Sequence, residues 1–406
     1  MTTSIKTNAA SRPASPLLLA FTLFLVAINL RPALSGVAPL LAAIRATTGL
    51  SATGAGSLTT LPVLCFGAIA PLGPLLARRY SAERTILFGL LVLAVSVVLR
   101  VFFGLPGLFA GTFLAGASIG VVMVLLPSII KRDFSESAGI MTGLYTMGLC
   151  LGAAVAAGVA VPIQRLAGGD WRASLAFWAL PALLGAVAWG VFGVHGNATP
   201  VQKRYRVTGL RASRIAWHVA LFMGLQSMLA YCVFGWLPTI LIDRGFTPLA
   251  AGAALSASIA AQLVTALGGP SLASRGKDQR LVVMVMILLT AAGLMGCMYA
   301  PVSQIWFWAV VLGLGQGGSF SVGMMLVVLR SPNSQIVASL SGMTQLVGYL
   351  LAAVGPFVAG VMRDATGNWN LAAGFFMVTA VAALLMGIGA GQRLYVQAKV
   401  EEVATS

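Results

Sequence analysis

Charge is scarce in this chain, and acid scarcest of all: 406 residues hold nine Asp and Glu, and 8% of residues are charged against 59% hydrophobic. Soluble domains carry roughly 25% charged residues, so the composition excludes a large soluble domain and places the chain in lipid. Histidine is limited to His195 and His218, and the four cysteines, Cys65, Cys150, Cys232 and Cys297, show no metal-ligand spacing. No metal or cofactor is therefore expected, and the cysteines read as free thiols that pack like small apolar residues. The acids Glu83, Asp133, Glu136, Asp170, Asp243, Asp278, Asp364, Glu401 and Glu402 all fall between apolar runs or at their ends. Without paired His, Asp or Glu inside a run, and without a Ser/Lys dyad there, an intramembrane enzyme is disfavoured.

What is abundant is apolar sequence. Runs of about 20 residues recur from one end to the other, the length a helix needs to cross roughly 30 Å of hydrocarbon. They predict twelve spans, at about 17–41, 53–77, 84–103, 105–130, 138–163, 172–193, 216–241, 247–273, 281–299, 302–329, 335–361 and 370–391. The net charge of +16 does not mark a nucleic-acid partner, because the basic residues lie scattered in short loops. With a cytoplasmic N-terminus, 18 Lys and Arg fall on that side and six on the other, leaving Arg31 alone within a span. The positive-inside rule then puts both termini in the cytoplasm.

The chain repeats itself at half its length. Gly49-Leu50-Ser51 with Ala55-Gly56 recurs 196 residues later as Gly245-Phe246-Thr247 with Ala251-Gly252, and Gly73-Pro74, Arg79 and Arg84 recur as Gly269-Pro270, Arg275 and Arg280. Gly116 and Gly120 match Gly313 and Gly317 at an offset of 197, and Gly36 and Pro39 match Gly235 and Pro238 at 199. Six spans per copy is an even number, so both copies run the same way through the bilayer, with a site expected between them at mid-depth. The copies divide as residues 1–193 and 215–406, joined by a basic linker over 194–214. The linker's Asn197-Ala198-Thr199 matches a glycosylation pattern by accident if the linker is cytoplasmic.

The segments Gly73-Pro-Leu-Leu-Ala-Arg-Arg and Gly269-Pro-Ser-Leu-Ala-Ser-Arg resemble degenerate forms of the Gly-rich basic loop of the major facilitator superfamily, with Ala77 and Ala273 in place of its usual acid. The resemblance implies an all-α integral membrane fold of twelve helices in two parallel six-helix bundles. Within that superfamily, Asn29-Leu30-Arg31-Pro32 followed by Gly36 and Pro39-Leu40-Leu41 resembles the cyanate and 2-nitroimidazole transporter family. The arginine that many proton antiporters of the superfamily carry in the fourth helix is missing, and Thr112-Phe113 stand there.

Arg31 is the residue that needs explaining. It lies roughly 15 Å from the nearer end of its span at 1.5 Å per residue, too deep to snorkel, and an arginine at that depth costs about 2.5–3.5 kcal/mol unless it faces a cavity or a partner. Reading it as the only deeply buried charge, we expect it to be a substrate-anion site rather than an arginine tied to backbone carbonyls. Ala27 and Ser35 share its helical face and leave room, and Pro32 lets the helix bend beside it. A bidentate guanidinium fork suits carboxylate-like or linear anions. The remaining candidates are Asn29, Tyr145, Gln226, Tyr231, Gln316, Gln345 and Tyr349, each also explicable as glue between helices. Gln262 and Ser319 are further in-span polar residues, and Met123, Met324, Met325 and Trp236 are possible cavity lining. The expectation is a monomeric secondary transporter in the bacterial inner membrane. It would carry a small anion or compact polar heterocycle, alone or with a proton; the competing reading is a proton-coupled drug efflux pump.

Overall fold

The computed structural model describes residues 16–69, 72–194, 205–274 and 278–402. Lys6, Arg12, Arg275, Lys277 and the linker residues 195–204, with His195 and the Asn197-Ala198-Thr199 pattern, lie outside the described residues.

Among the described residues, eleven helices are long and apolar enough to span a bilayer, and a shorter apolar helix completes twelve crossings. Spans 1 to 6 are Pro16–Thr48, the shorter Ala52–Ala68 with its continuation Leu72–Tyr80, Ala82–Leu99, Gly104–Asp133, Ile140–Leu166 and Trp171–Gly193. Spans 7 to 12 are Arg214–Asp243, Pro248–Gly268, Arg280–Tyr299, Val302–Leu329, Gln335–Thr366 and Asn370–Ala390. Large apolar side chains such as Phe88, Val95, Val187, Leu288 and Val378 stay exposed on the outward faces, as a helix surface against lipid requires.

The sequence repeat has a physical cause in the packing. Gly49 and Gly245 each end the first span of a half in the left-handed region, with φ of 69° and 93°, where a side chain would be strained. Gly116 and Gly120 bring span 4 against Pro62, Cys65 and Phe66 of span 2, while Gly313 and Gly317 bring span 10 against Ser258 and Gln262 of span 8. Polar residues start several helices: Ser51 caps span 2 by accepting from the Gly54 amide at 3.0 Å, and Asn333 caps span 11 by accepting from the Ile336 amide at 2.9 Å.

Two elements depart from the sequence expectation. Span 1 is broken rather than bent: helix Pro16–Asn29 stops, Leu30 and Arg31 form the break, and a short helix Pro32–Ser35 begins with Pro32 in its first turn. The linker is not wholly loop. Tyr205–Thr208 (β1) pairs antiparallel with Lys399–Glu402 (β2) near the chain's end, with Arg206 opposite Glu401.

Candidate functional site

Among the described residues three other charges are less solvent-exposed than Arg31, which corrects its reading as the only buried charge though not its place in mid-span. Glu83 is 2% exposed, Arg100 2% and Arg330 4%, whereas Arg31 is only partly buried. Hydropathy hides the three because they stand at helix ends, where Arg100 folds back between helices and Glu83 and Arg330 are covered by partners at neighbouring helix ends. Arg100 donates to Thr112 Oγ1 at 3.0 Å and to the Ala33 carbonyl at 2.7 Å. Glu83 pairs with Arg132 at 2.6 Å. Arg330 donates to the Ala390 and Gly391 carbonyls and to Gln279.

Arg31 differs from all three. Its backbone carbonyl accepts from the Leu34 and Ser35 amides at the start of the short helix. Its guanidinium has no hydrogen-bond or salt-bridge partner among the described residues and lies against a cavity of about 500 Å³. The phenols of Tyr145, Tyr231 and Tyr349 and the Cys150 thiol are its electrostatic neighbours, and no carboxylate is among them. The room does not come from the small residues expected on its own helix. Ala27 is fully buried against span 5 at Gly148, and the Ser35 hydroxyl turns back to the Arg31 carbonyl at 3.1 Å. The space opens instead where spans 4, 5, 7, 8, 10 and 11 converge.

The lining follows the repeat. At an offset of 199, Tyr145, Thr146 and Cys150 of span 5 match Thr344, Gln345 and Tyr349 of span 11, and all six line the cavity. At 197, Gly120, Met123, Val124 and Pro127 match Gly317, Phe320, Ser321 and Met324, and again all line it. Arg31 matches Ala230, and both line the cavity, a cation in one half and a methyl group in the other. Phe66, Tyr231 and Tyr349 form a three-ring cluster at this closed end, with ring centroids 5.6–6.4 Å apart.

Of the other candidates, Gln226, Gln316 and Gln345 reach the cavity and Asn29 does not. Asn29 donates to the Leu25 carbonyl at 2.8 Å and packs on Gly185 of span 6. Gln226 donates to Ser227 Oγ at 2.7 Å and Gln345 to Ser341 Oγ at 3.3 Å. Trp236 is buried and donates to the Pro356 carbonyl at 2.8 Å, and Ser319 is buried outside the lining. Phe66 and Cys150 carried no signal of their own in the sequence; the repeat pairs them with Gln262 and Tyr349, and that pairing was the available pointer.

The cavity reaches Pro127 and Ile130 near the end of span 4 and Thr142 near the start of span 5, so it extends toward the face that carries the ends of spans 4 and 12. The opposite face is closed by contacts between the halves. Asp364 of span 11 accepts from the Ala52 and Thr53 amides at 2.9 and 2.6 Å, Thr60 donates to the Ala353 carbonyl at 3.0 Å, and Ser256 donates to the Ala154 carbonyl at 2.8 Å.

A sequence model of the Major Facilitator Superfamily matches residues 18–356. The chain is 38% identical to an uncharacterized transporter of Bacillus subtilis over 91% of its own length and 92% of the relative's. It is 36% identical to the 2-nitroimidazole transporter of Escherichia coli, covering 90% of this chain and 92% of that one. It is 29% identical to the cyanate transport protein of Escherichia coli, covering 90% and 94%. Among solved structures, the nucleoside transporter NupG superposes with a TM-score of 0.73 at 14% identity over 91% of this chain and 99% of the other, which bears on the fold alone.

Proposed function

The chain belongs to the major facilitator superfamily of membrane transporters, and from that premise we propose that it carries a small anion, or a compact heterocycle with a negatively polarised edge, by alternating access with Arg31 as the anion site. The observation that carries the reading is the unpaired guanidinium at the closed end of the cavity. A cation that is neither hydrated in bulk nor paired creates a positive potential in a poorly screened space, and a planar fork of donors meets two oxygens or a linear anion edge-on.

Tyr145, Tyr231 and Tyr349 add neutral hydroxyls that donate to an anion without cancelling the charge, and Gln226 and Gln345 offer amides nearby. Asn29 positions the break in span 1 and does not touch substrate. The two named relatives, one for 2-nitroimidazole and one for cyanate, agree with this chemistry. The positive-inside asymmetry supports cytoplasmic termini in the bacterial inner membrane. With that orientation the cavity opens inward and the face latched by Asp364 is periplasmic. The division at residues 194–214 fits two bundles that rock about Arg31 within one monomer.

A second reading, proton-coupled efflux of bulkier drugs, draws on the cavity's volume, which exceeds what a three-atom anion fills. Against it, among the described residues the charged residue lining the cavity is a cation and no carboxylate lines it. The experiment is a thermal-shift screen of the purified protein with cyanate, benzoate, 2-nitroimidazole and cationic drugs, since a ligand of the folded state raises its melting temperature. Stabilisation by the small anions or the heterocycle supports the proposal; stabilisation by the cationic drugs alone overturns it.

A further inference from the structure

Across the cavity from Arg31, spans 8 and 10 carry a polar pair that their counterparts in the first half lack. Gln262 Nε2 donates to Gln316 Oε1 at 3.3 Å, and both residues line the cavity. Gln316 is 3% exposed, and its own Nε2 is buried without a hydrogen-bond partner. The hydroxyls of Ser258 and Ser319, one helical turn from Gln262 and Gln316 respectively, are buried and unpartnered as well. The two serines lie outside the cavity lining whereas Gln316 is part of it, and because buried polar groups are almost always hydrogen-bonded, its orphaned amide marks a place prepared for something other than packing.

The repeat tests whether packing needs this pair. At offsets of 196 and 197, Gln262 and Gln316 match Phe66 and Ile119, so spans 2 and 4 meet through the same glycines with no amide at those positions. The seam therefore closes without amides, and in the second half the pair stands at the cavity wall with a spare donor that is covered in this conformation, so the Gln316 amide turns to meet a ligand.

We propose that Gln262 and Gln316 form a second binding subsite, in the half opposite Arg31, that takes a neutral hydrogen-bond acceptor. The matching substrate is a compact molecule with two ends. Its anionic end lies on Arg31, and a nitro, ring-nitrogen or oxo acceptor takes the Gln316 amide. This rests on the Arg31 reading and adds to it, because a ligand held by both halves links its own recognition to their closure. A hydrophobic wall rejects such a group only weakly, whereas a site that donates to it discriminates strongly against an analogue without it.

Benzoate and 4-nitrobenzoate are the probes, since both present a carboxylate and one adds a distant acceptor. Binding to the full chain in detergent is compared for the parent, Gln316→Met and Arg31→Ala, together with the melting temperature of each without ligand. The parent should bind 4-nitrobenzoate at least tenfold more tightly than benzoate. Gln316→Met should erase that preference, leave benzoate within twofold, and melt within about two degrees of the parent, because it removes one unsatisfied donor and Gln262, which loses its acceptor, is partly exposed and can turn its amide to water. A preserved preference in Gln316→Met, or a parent that does not distinguish the probes, overturns the subsite. A ligand-free Gln316→Met that melts several degrees lower shows glue instead. Arg31→Ala separates the two readings: if it still binds benzoate like the parent while Gln316→Met loses the preference, the anion site falls and the subsite stands.

Discussion

Arg31 stands at the break in span 1 and Arg100 reaches the short helix that follows it, and their surroundings assign them different work. Arg100 is 2% exposed and spends its donors on Thr112 and the Ala33 carbonyl, tying spans 1, 3 and 4 together. Arg31 has nothing comparable. Arg100→Ala should therefore behave as a stability mutant: it orphans the buried Ala33 carbonyl, at roughly 1–3 kcal/mol, while Thr112 keeps its bond to the Leu108 carbonyl, and it lowers the melting temperature with ligand affinity of the folded fraction kept. Selective loss of ligand binding at an unchanged melting temperature would contradict that assignment. The sequence singled out Arg31 because hydropathy weighs depth along a span. It missed Arg100 because a side chain at a span's end can point back inward, and a hydropathy window sees no direction.

At the scale of elements, close approach between helices and the pairing of helix ends decide what each position tolerates. A Cβ on Gly152 would sit 2.0 Å from the Ile28 carbonyl of span 1, while one on Gly342 meets nothing within 4 Å. Gly152→Ala should cost about 1–3 kcal/mol or more, as overpacking does, and Gly342→Ala should leave the melting temperature within a degree or two. The helix ends repeat as well. Glu83 and Arg132 of the first half match Gln279 and Arg330 of the second, so the same arginine is held by a carboxylate in one copy and by an amide and helix-end carbonyls in the other.

Glu83→Gln should thus be tolerated. Glu83→Ala, which leaves Arg132 without that partner, should cost about 2 kcal/mol, below the range for fully buried pairs because Arg132 is one-third exposed. Equal melting temperatures for the two variants would contradict this. Most helices were legible because twenty apolar residues admit few alternatives in lipid. The break at Leu30 and Arg31 was half legible, as Pro32 marked a bend without fixing where hydrogen bonding stops. The pairing of β1 with β2 was not, because the four residues of β1 find their partner almost 200 positions further along the chain and no local period announces it.

For the molecule as a whole, the cavity is open toward one face and latched at the other by contacts between halves, and transport requires the latch to part. Asp364 grips the amino end of span 2, where the first amides lack partners within the helix, an interaction of roughly 0.5–2 kcal/mol. Asp364→Ala should shift the population toward opening on that face, read as a longer distance between spin labels at the exposed positions Leu166 and Leu249 in a cysteine-free background. No change in the distance distribution would mean that the latch lies elsewhere. Two six-span copies were readable from the repeat; the cavity's shape was not, because it depends on how the copies tilt together.

The account turns on one cation facing an open cavity, and a direct titration of anion binding to purified parent, Arg31→Ala and Arg31→Lys proteins tests it. The account predicts a folded Arg31→Ala protein whose affinity falls at least tenfold, in keeping with roughly 1.5–3 kcal/mol for hydrogen bonds to a charged group, and little recovery in Arg31→Lys, which keeps the charge and loses the fork. A folded Arg31→Ala protein that binds the same anion as tightly as the parent would contradict it.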